Sequence, residues 1–250
     1  MTWSFVKGHG TANDFVILTD GPDPTTEQVA RICDRRRGLG ADGILRLVPG
    51  DVPFMDYRNA DGSLAQMCGN GIRVYARWLV DAGHAAPGTW PIQTRGGLRT
   101  VTVPADPLAD ISVGMGQPQR TADLPVTIAG STRLATGVSM GNPHLVLTLT
   151  AEEVRGADLT RPPQPLGHNI ELVALTGERE VLMRVHERGS GETASCGTGA
   201  CAAVVALSGA PTGEPWTVEV PGGRLGVSWG PEGVVLCGPA QLVASGSITL

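Results

Sequence analysis

Lysine is almost absent: Lys7 is the only one in the 250-residue chain. A pyridoxal phosphate enzyme holds its cofactor as a Schiff base on a lysine. Lys7 falls in a strand-like stretch, WSFVKGHG, so the chain is expected to work without that cofactor and with none in its place. Long apolar runs are missing too. No stretch approaches the roughly 18 apolar residues that span a bilayer, and MTWSFVKGHG lacks the apolar segment of a secretion signal. No membrane partner is expected, and the expected location is cytoplasmic. The five cysteines show no Cys-x-x-Cys spacing, which argues against a disulfide framework or a zinc site and for reduced thiols with no metal. Positive charge is scarce: the net charge is −5 and the one basic run is Arg35, Arg36 and Arg37. A helix C-terminus or a solvated face explains that run, and nucleic acid is not an expected partner.

Glycine is in excess. Its 35 residues cluster as GHG, GLGADG, CGNG, RGSGE, CGTG and PGG, which implies many tight turns and places where backbone closely approaches a ligand. Strands are expected at WSFVKGHG, NDFVILTD, ILRLV and PFMDYRNA. Between them, TTEQVARICDRRRG reads as a helix, with Thr25 and Gln28 in capping-box spacing and Gly38 as its stop. MCGNGIRVYARWLVDAG then places Cys68 at the start of a second helix, with Ile72, Tyr75, Ala76 and Leu79 on its apolar face.

The second half repeats this plan, with strands around VSMGNPHLVLTL, NIELVAL and VLMRVHERG, a turn GSGETAS, and a helix CGTGACAAVVALSG that begins at Cys196. Internal duplication is the simplest account. The expected division is an N-terminal lobe over residues 1–116 carrying Cys68 and a C-terminal lobe over 117–239 carrying Cys196. Residues 115–119 are the linker candidate, and the strand at about 240–250 is expected to return to the first lobe.

A cysteine at a helix N-terminus sits at the positive end of the helix dipole among backbone N–H donors. These favour its thiolate and also bind carboxylates. One such cysteine reads as buried filler, whereas two in matching contexts read as a pair. Inverting an α-carbon without a cofactor needs one group to remove a proton from one face and another to return a proton on the other. The remaining cysteines, Cys33, Cys201 and Cys237, read as core. GLGADG matches a dinucleotide fingerprint only literally, since the helix precedes it and the strand follows. His144 in GNPHLV leaves a cysteine–histidine peptidase reading open. Glu187 and Arg188, just before a glycine turn that leads to Cys196, read as substrate contacts rather than a surface pair.

Together, YRNADGSLAQMCGNGIR, SMGNPH and HERGSGETASCGTGACAA resemble the diaminopimelate epimerase family, with KGHGTANDFV, GLGADGIL, PLGHNIEL and VPGGRL in support. The resemblance covers nearly the whole chain. It implies an α/β (α+β) fold of two pseudo-symmetric lobes, each a curved, mostly antiparallel sheet or barrel around a central helix. It also implies a homodimer and interconversion of LL- and meso-2,6-diaminopimelate. By this likeness Cys68 and Cys196 transfer the proton, with Cys68 the base on the LL form. Asn13, Asn59, Asn142, His144, Asn169, Glu187 and Arg188 match substrate-site positions, and Gly69, Asn70, Gly197 and Thr198 match the backbone cradle of the reacting carboxylate. Thr11 and Ala12 lengthen the turn before Asn13, which predicts a small displacement of that side chain, and Gly43 stands where many members have glutamine. The rival readings are a racemase of the same family acting on another amino acid and, in a different class, an amino-acid-binding protein or thiol hydrolase.

Overall fold

The computed structural model describes residues 1–128 and 130–250. The chain divides into two compact units, Met1–Val113 with Gly238–Leu250, and Gly114–Cys237. In chain order the first half carries β1 (Thr2–Gly10), β2 (Asn13–Leu18), α1 (Thr26–Cys33), β3 (Gly43–Val48), β4 (Phe54–Asn59), α2 (Gly69–Asp81), β5 (Gly88–Thr94), β6 (Gly97–Val103) and β7 (Ile111–Gly116). It continues with β8 (Gln119–Arg120), β9 (Leu124–Ile128), β10 (Ser131–Ser139), β11 (Pro143–Thr148), α3 (Ala151–Gly156), β12 (Asn169–Gly177) and β13 (Glu180–Glu187). The remaining elements are β14 (Gly191–Thr193), α4 (Gly197–Ser208), β15 (Pro215–Val220), β16 (Gly223–Gly230), β17 (Gly233–Gly238) and β18 (Gln241–Thr249).

The pairings repeat. In the first unit β1 and β2 form an antiparallel hairpin, β3 lies parallel to β2, β4 antiparallel to β3, and β5 parallel to β4. In the second unit β10 and β11, then β12, β13 and β15, follow the same sequence of directions. A parallel step needs a crossover, and in each unit the second crossover is a helix that starts at a cysteine, α2 or α4. The strands that follow β7 and β17 also correspond: β8 pairs with β10, and β18 pairs with β1 along almost its whole length. The last strand of the chain therefore belongs to the first unit.

Both cysteine helices are buried nearly all round, α2 from Gly69 to Leu79 and α4 from Ala200 to Val205. A helix apolar on most sides belongs inside a curved sheet rather than on its surface. Accordingly, α2 contacts β1, β2, β4, β6 and β18, and α4 contacts β10, β11, β12 and β16. The outer sheet faces are covered by the shorter helices. Val29, Ile32 and Cys33 of α1 pack on Trp3, Val16, Leu18 and Ile44. Val154 of α3 packs on Leu145, Leu147, Ile170 and Leu172. No helix among the described residues is long and apolar enough to cross a membrane.

Two local expectations need correction, the length of α1 and the turn GSGETAS. The capping box of Thr25 and Gln28 forms, but α1 ends at Cys33; residues 34–38 make a turn in which Asp34 Oδ1 accepts from the amides of Arg36 and Arg37. The arginine run thus directly follows the helix C-cap, Asp34, and is exposed, as expected, and Arg35 pairs with Asp14 and Asp42 at 2.7 Å each. The strands expected around VSMGNPHLVLTL form a hairpin, with Met140–Asn142 between β10 and β11. The stretch GSGETAS contains the short strand β14, paired with β13.

Candidate active site

Each cysteine is the N-cap of its helix. Cys68 adopts an extended backbone, and its Sγ accepts from Gly71 N at 3.4 Å. Cys196 does the same, accepting from Gly199 N at 3.4 Å. An N-cap side chain satisfies a helix amide that has no intrahelical acceptor, so each sulfur lies at the positive end of its helix. The glycine-rich sequence after each cysteine lets these amides be approached closely.

Around Cys68 the first unit builds a polar network. The thiol donates to Asn13 Oδ1 at 3.5 Å, and Asn70 Nδ2 donates to the same oxygen at 3.2 Å. Asn13 Nδ2 in turn donates to Asp42 Oδ2 at 2.6 Å. Beneath them Arg73, wholly buried, donates to Asn70 Oδ1 and Gly69 O at 3.0 Å. The Thr11–Ala12 turn is tight, with both residues at positive φ, and it still brings Asn13 to the sulfur. Asn59, at the end of β4, donates instead to Ser63 Oγ at 3.0 Å. Gly43 has no room for a side chain, because a Cβ there would lie 2.4 Å from Arg58 O. Lys7 is bound to Asp14 at 3.0 Å and to the carbonyls of Leu39 and Gly40.

The second unit gathers more of the expected residues. Thr198 Oγ1 lies 3.5 Å from Cys196 Sγ and accepts from Asn142 Nδ2 at 3.3 Å. Asn142 Oδ1 lies 3.0 Å from His144 Nε2. Glu187, whose charge acts on Cys196, accepts from Thr193 Oγ1 at 2.5 Å. Asn169 holds the protein itself: it donates to Pro143 O at 3.2 Å and accepts from Arg188 N at 3.0 Å. The Arg188 guanidinium has no ion-pair partner among the described residues.

The electrostatics of Cys196 overturn one expectation. Burial pushes this thiol well above the usual cysteine range, and the carboxylates of Glu187 and Glu171 push it further. Thr198 and the Gly199 amide oppose them without winning. A helix terminus stabilises a thiolate by a fraction of what desolvation and two adjacent carboxylates cost it. Cys196 is thus a thiol at rest. Glu187 is itself raised, by burial first and Glu171 next, against Thr193, His144 and Cys196.

Two wholly buried charged residues escaped the sequence reading, Arg73 and Glu171, both 0% exposed. Arg73 left a signal, since GIRVYARWLV is apolar but for Arg73 and Arg77. A cavity of about 460 Å³ in the first unit is lined by Lys7, His9, Asp14 and Arg35 and includes neither cysteine. No cluster of three or more His, Cys, Asp or Glu side chains suited to a metal occurs among the described residues.

The diaminopimelate epimerase family model matches residues 5–121 and 136–243. A diaminopimelate epimerase of Streptomyces coelicolor is 46% identical, the match covering 97% of this chain and 94% of that one. One from Corynebacterium glutamicum is 43% identical over 100% and 99%. Among solved structures, a PhzF-family phenazine biosynthesis protein of Bacillus anthracis covers both chains fully at TM-score 0.74 and 16% identity. A hydroxyproline epimerase of Agrobacterium vitis matches at TM-score 0.73 and 13% identity over 100% and 93%. These distant likenesses establish the two-lobe fold, while the matched sequence carries both cysteine helices and the polar residues around them: the chain belongs to the diaminopimelate epimerase family.

Proposed function

We propose that the protein is a cofactor-independent epimerase that interconverts LL- and meso-2,6-diaminopimelate, with Cys68 and Cys196 as its thiolate–thiol pair. The observation that carries the proposal is the matched pair of N-cap cysteines, one per unit, in a chain of this family. Cys68, as thiolate, takes the α-proton of the LL isomer, and Cys196, held as thiol, returns a proton to the opposite face. The negative charge that moves onto the α-carboxylate is met by backbone amides at Gly69, Asn70, Gly197 and Thr198, which stabilise it as it develops. Arg188, without an ion-pair partner among the described residues, suits the distal carboxylate as a two-pronged donor. Asn13, Asn59, Asn142, His144, Asn169 and Glu187 complete the substrate site, Glu187 and the amides holding ammonium groups. A homodimer and a cytoplasmic location belong to the same reading.

Incubation in heavy water with LL-diaminopimelate is the test. The expected result is deuterium at one α-carbon and accumulation of the meso isomer, with both lost in Cys68→Ala and in Cys196→Ala. Exchange only with some other amino acid sinks the substrate assignment. Dependence on one cysteine alone sinks the pair.

A further inference from the structure

Three side chains link Cys196 to a carboxyl group that the proposed function leaves without a role. His144 Nδ1 lies 2.7 Å from Glu171 Oε1, and both side chains are wholly buried. His144 Nε2 lies 3.0 Å from Asn142 Oδ1, Asn142 Nδ2 is 3.3 Å from Thr198 Oγ1, and that hydroxyl is 3.5 Å from Cys196 Sγ. The place of Glu171 is built into the fold, because a Cβ on Gly199 would lie 2.6 Å from Oε1. The carboxyl group occupies space that only glycine leaves at the first turn of α4. Its other oxygen, Oε2, is buried without a hydrogen-bond partner among the described residues, so its one polar commitment is to His144.

We propose that Glu171 is a positioning residue that sets the direction of this hydrogen-bond chain, so that every link donates toward the Cys196 sulfur. A buried carboxylate facing a neutral imidazole would be an uncompensated charge, and Glu187 stands close to both groups. The pair is electrically neutral only when it holds two protons. One is shared between Oε1 and Nδ1, and the other sits on Nε2, which faces an acceptor in Asn142 Oδ1, rather than on Oε2, which faces none among the described residues. Nε2–H donates to Asn142 Oδ1, which turns the amide N–H₂ toward Thr198 Oγ1. The threonine hydroxyl, accepting there, has its own proton left for Cys196. When Cys196 gives its proton to the substrate carbon, the new thiolate accepts that hydroxyl while each link keeps its own proton. The chain thereby offsets the burial and the carboxylates that disfavour a charged sulfur. The assignment rests on the reading of Cys196 as a proton-transfer group.

Two measurements on the whole protein test it. In ¹⁵N-labelled wild-type protein at neutral pH, with His144 assigned through His144→Asn, Nε2 is expected to carry a proton; a bare Nε2 overturns the proposal. In Glu171→Leu, alkylation of Cys196 by iodoacetamide at neutral pH, read from the peptide mass, is expected to slow by about tenfold, the worth of one hydrogen bond to a charged sulfur. Faster alkylation, the outcome if Glu171 acted only as a negative charge, or an unchanged rate overturns it. Should the leucine variant not fold, the wild-type spectrum decides. Failure of the wild-type protein to exchange the α-proton of diaminopimelate would refute the proposed function, and the spectrum and alkylation rate would still judge the hydrogen-bond chain.

Discussion

Glu187 is a carboxylate held in place at a cost to the fold. Its folded pKa is raised by burial and by Glu171, above the ordinary value of about 4.3. The sign follows from linkage: the contribution is fully favourable below the unfolded pKa and is lost as pH rises through the raised folded value. At neutral pH the ionised group therefore weakens the protein. Glu187→Gln keeps an acceptor for Thr193 and removes the charge. Thermal melts are expected to show Tm about 2–4 °C above wild type at pH 8, with the gain vanishing near pH 4, while epimerase turnover falls at least tenfold. A lower Tm at pH 8 would contradict the assignment. Residue by residue, the sequence was most readable where a rare type met a rare context, as at Cys68 and Cys196. Glu171 was hidden because NIELVAL alternates like a strand with one wet face. In the fold both faces of β12 are covered, Ile170 and Leu172 under α3 and Glu171 against the start of α4.

The two cysteine helices look alike in sequence but are packed differently. At the third helical residue, a Cβ on Gly71 would meet the Phe15 ring at 3.2 Å, whereas one on Gly199 would meet Glu171 Oε1 at 2.6 Å. An aromatic edge can shift by tenths of an ångström; a carboxyl group tied to a buried histidine cannot. Gly71→Ala is expected to fall within about 1 kcal/mol of wild type, since alanine also gains helix propensity. Gly199→Ala is expected to lose about 2 kcal/mol. Urea titrations of both check the difference, and equal losses would contradict it. The β1–β2 turn offers the opposite change. Ala12 is exposed at φ 63°, where a Cβ costs about 1–2 kcal/mol, so Ala12→Gly is expected to stabilise by about 0.5–1 kcal/mol after the added chain entropy. Helix starts were legible from their caps and glycines. Helix surroundings were not: Ile72, Tyr75, Ala76 and Leu79 mark one apolar face, but Arg73 and Arg77 are buried too. Such burial depends on the curved sheet that encloses α2, which no local periodicity reports.

The duplication was legible from the second Cys-Gly-x-Gly motif, and the repeated strand directions of the two units bear it out. The pairing partners of the last strand could not be read from local pattern, because QLVASGSITL suits any sheet edge. It pairs with β1 from Thr2↔Thr249 to His9↔Gln241. Deletion of residues 241–250 is therefore expected to damage the first unit, leaving β1 open on that side. Limited proteolysis is expected to cleave early within residues 1–113 of the truncated protein and to leave 114–237 more resistant; the reverse order would contradict this.

That strand also fixes a timetable. The Met1 amino group meets the Leu250 carbonyl at 2.7 Å, and β1 stays open on that side until β18 has been made. A chain cut short by a late stop codon or a stalled ribosome carries both cysteine helices and still exposes an unpaired strand edge, the kind of surface that invites aggregation. The pairing of β18 with β1 thus delays closure of the first unit's sheet until synthesis has passed both cysteine helices.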